Sequence, residues 1–95
     1  MNNTIITQLK KLKPVIEKEY GVEEFAVFGS QTRNDYTAKS DVDIAIITMK
    51  NKSFDNFMEL KYFLESKLNK KIDLGFYDSM KNFIKNEIKE NMICV

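Results

Sequence analysis

Three aspartates stand where an apolar strand has least use for them. Asp41 and Asp43 open the run Asp41-Val42-Asp43-Ile44-Ala45-Ile46-Ile47, and Asp73 sits inside Lys71-Ile72-Asp73-Leu74-Gly75-Phe76-Tyr77. Both runs read as strands from their β-branched, aromatic and alternating content. Aspartate nevertheless has low strand propensity, and its charge resists leaving water. Side chains alternate across a strand, so Asp41 and Asp43 project from one face while Val42, Ile44 and Ile46 take the other. Asp73 likewise stands opposite in face to Ile72, Leu74 and Phe76. Pairing the two strands therefore gathers three carboxylates on one face, and their mutual repulsion calls for a cation.

The rest of the chain supplies helices to cover such a sheet. From Asn3 to Tyr20, Ile5, Leu9, Leu12 and Ile16 recur at spacings of four, three and four, which draws one helical stripe. Pro14 lacks the N–H that would bond to Lys10, so a kink or a second helix start is expected there, with Gly21 as the stop. Phe25-Ala26-Val27-Phe28 suits a short interior strand ending in the turn Gly29-Ser30. The polar stretch from Gln31 to Ser40 reads as one helical turn and then an exposed loop overhanging the acidic face. Ser53 caps a helix running through Asn69, with Phe57, Leu60, Leu64 and Leu68 inward. Gly75 leaves open space beside the third strand. Ser79 begins a last helix with Met80, Phe83, Ile84 and Ile88 inward, and Met92-Ile93-Cys94-Val95 is extended. The expected fold is α/β (α+β): a small mixed β-sheet flanked by helices, forming a single domain over residues 1–95.

Ninety-five residues suffice for one such domain and not for two. Fifteen basic and fourteen acidic side chains nearly cancel, which argues against direct nucleic-acid binding. Phe25, Phe28, Phe54, Phe57, Phe63 and Phe76 are spaced as core material, not as a platform for bases. Lys81, Lys85 and Lys89 make a basic ridge on the last helix, best read as a solvated face. No run is long and apolar enough to cross a bilayer, and the lone Cys94, read as a small hydrophobe, forms no internal disulfide, so a cytoplasmic location is expected. The absence of histidine removes Ser-His and Cys-His nucleophilic pairs and the usual zinc sites.

Carboxylate oxygens without histidine or thiolate favour magnesium, with manganese as the alternative. Two such ions can activate an attacking oxygen and stabilise a leaving one in phosphoryl or nucleotidyl transfer. Asp73, from the separate strand, is the candidate to assist deprotonation of the attacking hydroxyl. Gly29 and Ser30 offer backbone N–H groups and a hydroxyl to a triphosphate, and Arg33 can add charge-assisted bonds. Taken alone, the Gly-Ser pair also fits an ordinary turn, Ser40 and Asp41 also fit a loop closure, and Arg33 also fits a pairing with Asp35. Asp43 fits no such local role.

Gly29-Ser30-Gln31-Thr32-Arg33, then Ser40-Asp41-Val42-Asp43, then Ile72-Asp73-Leu74 resemble, in order and spacing, the minimal nucleotidyltransferases of the DNA polymerase β superfamily, the MNT domains. The resemblance covers nearly the whole chain, including the leading helix with Leu12-Lys13-Pro14 and the Tyr20-Gly21-Val22 entry to the first strand. It implies an antitoxin that works in an assembly with a HEPN-domain toxin, a helical ribonuclease. It further implies transfer of AMP from ATP to a tyrosine of that toxin, with two magnesium ions. On this reading Asp41 and Asp43 bind the metals, Asp73 completes the site, and Gly29 and Ser30 hold the triphosphate. Many relatives have Ala-Arg-Gly where this chain has Thr32-Arg33-Asn34. The alternative expectation is a module that neutralises its partner by docking alone.

Overall fold

The computed structural model describes residues 3–29 and 41–95. Its elements are α1 (Asn3–Tyr20), β1 (Val22–Phe28), β2 (Val42–Met49), α2 (Phe54–Leu68), β3 (Ile72–Phe76), a short 3-10 turn (Tyr77–Ser79), α3 (Asn82–Asn91) and β4 (Ile93–Cys94). The sheet has the order β3-β2-β1-β4. β1 runs antiparallel to both β2 and β4, whereas β2 and β3 are parallel. A parallel pair requires a crossover, and α2 supplies it. The result is the mixed α+β architecture expected, a four-stranded sheet flanked by helices.

The alternation read from the sequence fixes which face goes inward. Phe25, Val27, Val42, Ile44, Ile46, Ile72 and Leu74 join Ile5, Ile6, Leu9 and Ile16 of α1 and Leu60, Leu64 and Leu68 of α2 in one buried cluster. Register shifts between Val22 and Phe25 keep Val22 and Met49 buried in a matched pair while Glu24 and Thr48 stay outside, joined by a hydroxyl-to-carboxylate hydrogen bond of 3.2 Å. α2 starts as its sequence predicts, with the Asn56 N–H donating to Ser53 Oγ at 3.2 Å. It stops at Asn69, which takes the left-handed conformation at φ 52°.

The opposite face is treated differently along its length. Cys94, Ala26, Ala45 and Gly75 are consecutive register partners across the four strands, forming a row of small residues. Ala26 and Ala45 are fully buried. The space beside Gly75 is filled, not open: a Cβ there would lie 3.1 Å from Met80 Cε. Ile88 of α3 is buried as well, apart from the main cluster. The neighbouring row, nearer the start of β2 and β3, carries the acidic residues.

Several expectations are corrected. No second helix starts at Pro14: α1 continues through it as one helix, since the proline and Lys10 are both exposed and water can satisfy the carbonyl left without its usual donor. β1 begins at Val22, three residues earlier than its apolar run, because β2 extends to Met49 and pairs with it. The segment after β3 is a 3-10 turn, and α3 starts only at Asn82. Phe83 and Phe54 are not core residues, being 68% and 74% exposed. Cys94 is exposed too. The stretch from Gln31 to Ser40 lies outside the described residues.

The Tyr77 hydroxyl is buried without a hydrogen-bond partner among the described residues, while the Lys85 ammonium stands 5.5 Å from its ring centroid. A buried hydroxyl left unpaired costs about 1–3 kcal/mol. Tyr77→Phe is therefore expected to raise the unfolding free energy by about 1 kcal/mol in urea titrations, and a destabilised variant would contradict this account.

Candidate active site

The acidic face is built by register. Asp43 pairs across β2 and β3 with Asp73, and across β1 and β2 with Phe28. Register partners share a face, so the order across the sheet is Phe28, Asp43, Asp73. Asp41 lies two residues before Asp43, at the mouth of β2, and the Val42 N–H donates to the Lys71 carbonyl at 3.0 Å to hold the two strand starts together. Asp41 and Asp73 are exposed and Asp43 is half-buried.

Gly29 adds a feature that the sequence alone did not reveal. It follows Phe28 directly and adopts φ +72°, the left-handed region that glycine tolerates best. A Cβ on it would collide with the Asp43 carboxylate, whose Cγ lies 3.2 Å from that position. The end of β1 thus passes so close to Asp43 that a side chain at position 29 would displace the carboxylate. The legible signal was a glycine closing an apolar strand; its contact with Asp43 depended on the β1–β2 register. Ser30 and Arg33, the other residues expected to meet a nucleotide, lie outside the described residues.

The donor set suits a hard cation that brings further ligands with it. Like charges directly opposite each other on adjacent strands destabilise a sheet, and Asp43 and Asp73 are such a pair. Among the described residues no three His, Cys, Asp or Glu side chains form a metal cage by themselves. Magnesium needs none, because it is held by one or two carboxylates together with waters and substrate phosphates.

The model of the nucleotidyltransferase domain family matches residues 9–95. A protein of Methanocaldococcus jannaschii, provisionally named a protein adenylyltransferase, is 38% identical over 88 residues, covering 92% of this chain and 90% of that protein. The chain belongs to the nucleotidyltransferase domain family. The protein adenylyltransferase MntA of Thermococcus cleftensis is 33% identical over 92 residues, covering 97% of this nucleotidyltransferase and 90% of MntA. Among solved structures, a provisionally assigned minimal nucleotidyltransferase superimposes with a TM-score of 0.79 at 18% identity, over 98% of this chain and 95% of the other. A crystal structure of a toxin-antitoxin with AMP-PNP gives a TM-score of 0.68 at 22% identity, covering 98% of this chain and 70% of that one. At such identities the two structures establish a shared fold.

Gly29→Ala should cost about 1–2 kcal/mol for the left-handed backbone alone, and more for the displaced Asp43 carboxylate. Urea unfolding measures the first, and nucleotide affinity of the folded fraction measures the second. Stability and affinity both equal to those of the native chain would refute the close approach.

Proposed function

We propose that this nucleotidyltransferase transfers AMP from ATP to a tyrosine of a cognate HEPN ribonuclease toxin, and so acts as its antitoxin. The observation that carries the reading is the pairing of Asp43 with Asp73 on an exposed sheet face, with Gly29 against the Asp43 carboxylate. The names of the relatives support it: protein adenylyltransferases at 33–38% identity, and a toxin-antitoxin of the same fold with a nucleotide analogue.

In this proposal Asp41, Asp43 and Asp73 hold magnesium, as two ions. When bound, the metal neutralises phosphate charge and stabilises the leaving oxygen. Gly29, with Ser30 and Arg33, holds the triphosphate. Asp73 accepts the proton of the tyrosine hydroxyl as that oxygen bonds to the α-phosphorus, the α–β phosphoanhydride breaks, and pyrophosphate leaves. No histidine is available for the proton transfer, which leaves a carboxylate as the fitting base. The chain acts as one domain over residues 1–95, in the cytoplasm, in an assembly with its toxin. A free, exposed Cys94 suits a reducing compartment, and among the described residues no helix is long and apolar enough to cross a membrane.

Labelled ATP, magnesium and the purified toxin provide the test. The native chain should transfer label to a toxin tyrosine, with a matching mass increase. Asp43→Asn should reduce the rate by more than about 100-fold, since a metal ligand serves several kcal/mol of transition-state charge stabilisation. Asn34 in place of the usual glycine favours the second reading, docking alone. That reading prevails if folded Asp43→Asn protein still protects cells from the toxin.

A further inference from the structure

Lys71 stands immediately before β3, on the acidic side of the sheet. Val42 is in register with Ile72, and the Val42 N–H donates to the Lys71 carbonyl, so the ladder extends one residue outward and sets Lys71 across from Asp41. Ile72 is fully buried, whereas its neighbours Lys71 and Asp73 are both exposed, as strand alternation requires. Adjacent strands are about 4.8 Å apart, so a lysine on its flexible four-carbon stem can bring its charge to any of the three carboxylates. Lys67, near the end of α2, is differently disposed. It extends over the ring of Phe63, 5.8 Å from its centroid, and Phe63 packs on the helix-covered side.

We propose that Lys71 is a built-in counter-cation of the acidic face, a positioning residue that sets how tightly the site holds a divalent ion. The inference rests on the metal-binding reading under Proposed function. With no metal bound, the ammonium offsets repulsion among Asp41, Asp43 and Asp73. Once a divalent ion arrives, the same charge repels it and weakens binding. A site tuned in this way keeps its carboxylates together without metal and accepts the ion most readily when triphosphate arrives with it.

The test is manganese binding to the nucleotide-free protein, followed by electron paramagnetic resonance at low ionic strength. Lys71→Met keeps the stem and removes the charge. It should tighten binding by about five- to tenfold, the effect of one charge on a divalent ion across several ångströms of well-solvated surface. The gain should shrink as added salt shortens the screening length. Lys71→Arg should bind as the native chain does. Lys67→Met, which changes net charge equally from the other side of the sheet, should also leave affinity unchanged. Unaltered or weaker binding by folded Lys71→Met protein, beside measurable binding by the native chain, overturns this inference alone. A native chain that binds no manganese overturns the metal reading and this inference with it.

Discussion

Asp43 and Asp73 are held side by side by forces that have nothing to do with charge. Val42, Ile44, Ile72 and Leu74 alternate with them along β2 and β3 and are buried against α1 and α2. Each such side chain contributes about 1.5–3 kcal/mol through burial. Two unit charges about 4 Å apart in a watery environment repel by roughly 1 kcal/mol. The apolar face therefore wins by a wide margin. Sliding β3 by one residue would separate the carboxylates only by sending Asp73 into the core and Ile72 and Leu74 into water. The acidic juxtaposition is enforced by hydrophobic burial on the far side of the same strands.

That arrangement needs one end of the second face to remain open. The row Cys94, Ala26, Ala45, Gly75 marks the division, and at its β3 end Met80 settles against Gly75. One step along the strands the side chains become Phe28, Asp43 and Asp73, at the end where β1 finishes and β2 and β3 begin. The open acidic face at the strand ends follows from where the small residues stop. The backbone of Gly29, at the end of β1, then comes close against the Asp43 carboxylate.

Much of this was legible because periodicity and caps are local. The stripe of α1, the Ser53 cap, the Asn69 stop and the aspartate face of β2 and β3 all depend on residues close in sequence. The misreadings arose where distant structure decides. Phe54 and Phe83 have core-like side chains, but one stands at the first position of α2 and the other in the first turn of α3, and both are exposed. The start of β1 followed from the length of its partner, not from its own composition. For the site, an aspartate in an apolar strand is an anomaly visible in the sequence, whereas the contact between Gly29 and Asp43 requires knowing which residues of β1 and β2 pair. Ser30 and Arg33 lie outside the described residues, so their part in the site remains a reading of the sequence.

A shared fold does not by itself assign chemistry, and structures at 18–22% identity establish fold alone. Docking alone would place no demand for aspartate on positions 43 and 73. Asparagine, serine or threonine there would satisfy the same exposed face without like charges opposed across two strands, and threonine would improve strand propensity as well. The chain instead carries the costlier pair, has Asp41 two residues before Asp43, and places a glycine where any side chain would disturb Asp43. A docking surface has no use for this combination. The function proposed above does, because the repulsion between these carboxylates is also what would draw a divalent ion and its nucleotide to them.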